Sequence, residues 1–163
     1  MNEDPELALE LLDRAIEVDP SRPELLVRMA RILGEEHPAE ANAIADEGAR
    51  RAAAMPRTEV VRIVCHESEA LGFHAAALIA CDAALEREPD EWRSRDSRAF
   101  ARAGRGDLPG AQEDFRGAAR GAKQSGEYPA ERLESRESVI RALEAGEKPF
   151  IRKTEIVFPD EWS

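Results

Sequence analysis

The amino-acid sequence predicts an all-α fold, an α-solenoid of helix-turn-helix units, on three observations. Five positions recur 34 residues apart: Cys65 and Ala99, Gly72 and Gly106, Ala77 and Ala111, Cys81 and Phe115, Ala84 and Ala118. A fixed period of that length marks one helix pair copied along the chain. Aromatic residues make up only 5% while alanine runs are frequent, as in residues 52–54 and 75–77, which favours small-residue helix packing over an aromatic-rich sheet. Glycine and proline fall between the alanine-rich stretches, where helices must stop. With 163 residues and a hydrophobic fraction of 42%, the chain suffices for one domain with a real core.

In chain order, helices are expected at about 5–18, 23–35, 39–54, 58–70, 74–87, 90–103, 108–125 and 129–145. The first carries Ala8, Leu12, Ala15 and Pro20 at the internal spacings of Ala77, Cys81, Ala84 and Pro89. It therefore reads as the second helix of a unit whose first helix is missing, a half repeat over 5–20. A less regular unit follows over about 23–56, with Leu26, Ala30 and Leu33, then Ala41, Ala45 and Gly48, and His37-Pro38 at the turn. The unit over 58–89 is the clearest: Gly72 permits the turn, Ala77, Cys81 and Ala84 let its second helix approach, and Pro89 closes it. The unit over 92–125 repeats this with Gly106-Asp107 at the turn. Its second helix contains Gly110, Gly117 and Gly121, each costing about 0.8–1 kcal/mol relative to alanine, and the pair one turn apart, Gly117 and Gly121, points to close packing. Gly126 ends that helix and Pro129 stands at the start of the last one, over 129–145. Leu133, Val139, Ile140 and Leu143 on one side of it, with charges elsewhere, give the polar-faced cap that a stack of repeats needs.

The run from Gly72 to Pro89 resembles the second half of a tetratricopeptide (TPR) repeat, and residues 1–145 are organised in a similar way. The resemblance implies a right-handed superhelix with a concave groove lined by the first helix of each unit, which often holds an extended peptide. Mapped through the repeat, the groove-facing candidates are Val27, Arg28 and Arg31, then Arg62, His66 and Glu69, then Arg93, Asp96, Phe100 and Ala103. Guanidinium groups there suit an acidic peptide or carboxylate through planar bidentate hydrogen bonds. They equally suit solvated pairing with neighbouring Glu and Asp. The lysine and asparagine clamp of chaperone-tail-binding members is missing, with Arg31, Arg62, His66 and Arg93 in its place.

The sixth helix holds the densest basic cluster, Arg93, Arg95, Arg98 and Arg102 with nearby Arg105. Arg95, Arg98 and Arg102 occupy positions that the family pattern fills with large apolar side chains. Either their stems snorkel or this helix meets another chain, the acidic first helix being the complement for head-to-tail self-association.

A net charge of −11, from 34 acids against 23 bases, disfavours phosphate backbones and anionic membranes. Seven acids lie in the first 20 residues with Arg14 alone among the bases. The N-terminal residues form neither a basic nor an apolar leader segment, and no stretch is long enough to span a membrane, so a cytoplasmic location is expected. Cys65 and Cys81 fall on inward faces and are expected as reduced core thiols. His37, His66 and His74 lack metal-site spacing, and no phosphate loop, nucleophile elbow or HExxH helix is present. No cofactor or catalysis is expected.

The tail over 146–163 carries Phe150, Ile151, Ile156, Val157, Phe158 and Trp162. It either packs back along the last helix or adds as an extended strand to a partner, and Phe150, Phe158 and Trp162 join Arg95, Arg98 and Arg102 as a possible second interface. The expected function is a non-catalytic protein-interaction module, an adaptor or scaffold subunit. The alternatives are a small secretion-type chaperone that holds an amphipathic segment, and a regulatory subunit of a larger enzyme assembly.

Overall fold

In a computed structural model, which describes residues 5–34, 36–126 and 130–147, the protein is all-helical, with eight helices among those residues. They are α1 (Pro5–Val18), α2 (Glu24–Leu33), α3 (Pro38–Ala54), α4 (Thr58–Ala70), α5 (His74–Arg87), α6 (Trp92–Gly104), α7 (Leu108–Ser125) and α8 (Ala130–Glu144). Each lies within two residues of its expected position. The expected tail interface at Phe150, Phe158 and Trp162 and the placement of Pro129 lie outside the described residues.

The turns explain why the boundaries were readable. Gly72 and Gly106 take φ of 82° and 87°, a left-handed conformation that costs a side chain strain and glycine nothing. At each, the next residue's N–H donates five residues back, Phe73 to the Ser68 carbonyl and Asp107 to that of Arg102, both at 2.9 Å. This is the same helix-ending motif 34 residues apart. Asp107 then caps α7 by accepting from the Gly110 N–H at 3.0 Å, and Glu91 caps α6 by accepting from the Ser94 N–H at 2.6 Å. Each satisfies a backbone donor that the first helical turn leaves open.

Consecutive helices α2 through α8 pack against one another, while α2, α4 and α6 also touch in series and α3 packs along α5. No such contact joins α5 to α7. The core is built of alanine: Ala30, Ala41, Ala45, Ala49, Ala76 and Ala80 are fully buried beside Val27, Val64 and Phe73. A second cluster joins Ala99, Phe100, Ala111 and Phe115, covered by Val139, Ile140 and Leu143 of α8. The four 34-residue pairs other than the glycines are all buried. Gly117 and Gly121 are sites of close approach: a Cβ at Gly121 would come 2.7 Å from the Trp92 Cβ, and one at Gly117 would come 2.6 Å from the Arg95 side chain.

One expectation is overturned. Cys65 and Cys81 are a disulfide between α4 and α5, with Cα atoms 4.8 Å apart, rather than reduced thiols. Both do face inward, and facing positions on an antiparallel helix pair come close enough for the bond. Their counterparts one repeat later are Ala99 and Phe115. There the large ring fills the space over alanine that the disulfide occupies in the preceding unit, and packs edge-on against Phe100 with centroids 5.0 Å apart.

Candidate interaction face

The series α2, α4 and α6 sets side chains from three helices on adjoining surfaces. Val27 of α2 is fully buried in the core, so it does not face a groove. Its neighbour Arg28 is half-exposed and pairs with Glu67 of α4 at 2.9 Å. That hydrogen bond, more than simple proximity, raises the pKa of Arg28. Arg31, one turn on, is exposed.

On α4, Arg62 pairs with Glu88 at the end of α5, 3.1 Å away. His66 lies beside α6, its Nδ1 2.8 Å from the Ser97 hydroxyl. Burial lowers the His66 pKa, Arg62 and Arg93 lower it further, and Glu91 and Asp96 oppose them. The ring is therefore neutral near pH 7. Burial also opposes the charge of Glu91, yet hydrogen bonds from Ser94 and Arg93 hold its carboxyl below the usual range. Glu69 is half-buried. Ile63, next to Arg62 in the chain, is 38% exposed. Sequence reasoning passed over it, assigning Arg62, His66 and Glu69 of this helix and not their apolar neighbour.

On α6, the Arg93 guanidinium stacks on the Trp92 ring, 4.4 Å from its centroid, and Ala103 is half-buried beside the second core cluster. Asp96 and Phe100 are not open to a partner. Arg136 of α8 donates from Nε and from one terminal nitrogen to the two Asp96 oxygens, at 2.7 and 2.8 Å. The same guanidinium lies 4.4 Å over Phe100. Arg136 of α8 thus covers Asp96 and Phe100 but not Arg93, and the expected sites divide. Arg28, Arg31 and Arg93 are exposed and Arg62 and His66 are part-buried on α2, α4 and the start of α6, whereas Asp96 and Phe100 are held against Arg136 of α8.

The remaining arginines of α6 point toward α5 and α7. Arg98 bridges α5 and α7, whose backbones do not approach each other: it donates to both Asp114 oxygens at 2.7 Å and to Asp82 at 2.8 Å. Burial works against its charge, but these two carboxylates more than compensate and raise its pKa. Arg102 reaches the Gly110 carbonyl at 3.2 Å and Asp114 at 3.1 Å, and Arg95 donates to the Pro89 carbonyl at 2.6 Å. Asp114 is only 2% exposed. Arginines stand at apolar positions here because a buried carboxylate on α7 requires them. A cavity of about 320 Å³ beside them is lined by Asp82, Leu85, Glu86, Pro89, Arg95 and Arg98. Among the described residues no cluster of His, Cys, Asp and Glu is arranged to hold a metal ion, and no helix is long and apolar enough to cross a membrane.

No family model, no curated protein and no solved structure matches the chain.

Proposed function

We propose that the protein is a non-catalytic protein-interaction module, an adaptor or scaffold subunit of tetratricopeptide type, which holds an acidic, extended segment of a partner on the face of α2, α4 and α6. The observation that carries this reading is that α2, α4 and α6, packed in series, each bring an arginine to the surface, Arg28, Arg62 and Arg93, and that α4 adds the exposed apolar side chain of Ile63. Exposed apolar surface together with arginine is the composition of a recognition surface.

The ion pairs on this face favour exchange over permanence. Arg28–Glu67 and Arg62–Glu88 are both partly exposed to solvent, and such pairs contribute about 0–1 kcal/mol. A partner carboxylate can take the place of Glu67 or Glu88 at little cost, while an apolar side chain two residues along an extended segment covers Ile63. The repeated glycine turns and the 34-residue burial pattern support the tetratricopeptide reading. With Asp96 and Phe100 beneath Arg136, the binding surface comprises α2, α4 and the first turn of α6.

The test is fluorescence anisotropy with two random peptide libraries, one biased to Glu and Leu and one to Lys and Leu. The acidic library is expected to bind and to lose affinity with added salt. An Arg62→Glu, Arg93→Glu variant that keeps its helical circular dichroism is expected to lose that binding. Equal binding by the folded variant, or preference for the basic library, would overturn the reading.

A further inference from the structure

Among the described residues, four large apolar side chains are prominently exposed, and three of them share one helix. On α1, Leu7, Leu11 and Val18 are 52%, 55% and 86% exposed, and their spacing sets them in one stripe. The side of α1 that carries Ala8, Leu12, Ala15 and Ile16 is half-buried, and among the described residues α2 is the one helix that α1 contacts. Beside the apolar stripe runs an acidic one: Glu6, Glu10, Asp13 and Glu17 are all exposed and lie one helical turn apart. Such a surface at one end of the series of helices calls for a cover that is cationic and gives aliphatic contact.

The other end supplies it. On α7, Arg116, Arg120 and Lys123 are exposed in a single stripe that exposed Glu113 precedes by one turn, with half-buried Ala119 at its edge. Among the described residues α7 packs on α6 and α8, and the exposure of Arg116, Arg120 and Lys123 leaves its outer face open to solvent. The steps of four then three from Glu6 to Glu10 to Asp13 match those from Arg116 to Arg120 to Lys123. Parallel alignment therefore opposes three acids to three bases. In the same alignment Leu7 and Leu11 turn toward Ala119 and the aliphatic stems of the basic residues, which can cover apolar surface while their charges stay hydrated.

We propose that α1 of one copy docks on the α7 face of a second copy, so that the protein associates head to tail. Pairing of α1 with α1 would set acid against acid. The α6 arginines are not the receptor, because Asp82, Asp107 and Asp114 of the same chain engage Arg98 and Arg102. Two charge pairs on these surfaces, Glu10 with Arg14 and Arg116 with Glu144, are exposed and so are readily exchanged. The contact joins two different surfaces, so it generates an open chain of copies unless its rotation closes a ring. It involves none of the side chains assigned to partner binding on α2, α4 and α6, and stands or falls independently of that role.

Sedimentation velocity of the full chain tests this over a concentration series, at low ionic strength, where charges act over about 30 Å, and near 1 M salt, where they act over about 3 Å. The mass is expected to rise with concentration at low salt and to return to that of one chain at high salt. A Glu10→Lys, Asp13→Lys variant and an Arg120→Glu, Lys123→Glu variant should each remain single, because like charges now meet. Mixed together they should assemble again, since each one's α1 complements the other's α7. A wild-type chain that stays single at low salt, assembly that persists near 1 M salt, or a mixture that fails to reassociate would each overturn the proposal.

Discussion

Asp114 sits between two guanidiniums, nearly sealed from water, with both oxygens engaged by Arg98 and one also by Arg102. Removing it leaves two part-buried cations without their shared counter-charge, a loss of about 3–5 kcal/mol for breaking a buried pair. Asp114→Ala is therefore expected to lower the urea midpoint sharply with little change in the slope of the transition. A loss below about 1 kcal/mol, the value of a surface pair, would show the network to be solvated. Sequence patterning exposed only half of this arrangement: two arginines at apolar positions were visible, but their partner is a single aspartate before Phe115 that resembles any solvated acid until α6 and α7 are brought together. His66 gives a residue-scale pH effect. Its folded pKa lies below the ordinary 6.5, so the unfolded chain takes up the proton first as pH falls through 6.5, and stability is lost on the acid side. The depressed carboxyl of Glu91 acts in the same direction at lower pH. His66→Gln should flatten the fall in urea midpoint just below pH 6.5 and leave the lower limb in place. An unchanged slope in that upper window would remove His66 as its source.

At the scale of helices, the boundaries were legible because each is set by local chemistry: glycine at φ 82° or 87° after α4 and α6, and an acidic cap before α6 and α7. The disulfide was not legible. Inward cysteines on facing helices produce the same periodicity whether bonded or reduced, and only the 4.8 Å Cα separation distinguishes them. The bond closes a segment with a sequence separation of 16 within the α4–α5 hairpin, for which loop-closure entropy gives about 3 kcal/mol. Reductant should lower the melting temperature of the wild type by about 6–12 °C, given about 2–4 °C per kcal/mol for a chain of this size. Cys65→Ala, Cys81→Ala should melt at the reduced wild-type temperature and ignore reductant, and a wild type equally indifferent would show that the bond does not form in solution. Gly121 separates propensity from packing in α7. Alanine there gains about 1 kcal/mol in helix propensity, but its Cβ would meet the Trp92 Cβ at 2.7 Å, and overpacking costs about 1–3 kcal/mol. Net destabilisation is expected, and a more stable Gly121→Ala would mean that α6 and α7 can separate freely.

Over the whole molecule, the 34-residue period foretold a chain of neighbour contacts but not how unevenly they are distributed. The alanine positions read the same in every unit, whereas the reach of Arg136 from α8 to Asp96 and the gap between α5 and α7 depend on residues far apart in sequence. The outcome is two hydrophobic clusters, one spanning α2 to α5 and one joining α6, α7 and α8, with α1 resting on α2 alone. Where helices pack mainly on their neighbours, each is only as stable as its own contacts plus theirs, and local opening ranges from near zero to the full unfolding free energy. Native-state hydrogen exchange of the single chain, at high salt to suppress association, should therefore be graded. Amides of α1 should exchange first, those of α7 and α8 next, and those of α4 and α5 last, because that pair is central to the larger cluster and covalently joined. Reductant should collapse the difference between α4–α5 and α7–α8 while leaving α1 the fastest. Uniform protection from α1 to α8 would instead mean that the two clusters unfold as one cooperative body, and that the division between them has no energetic consequence.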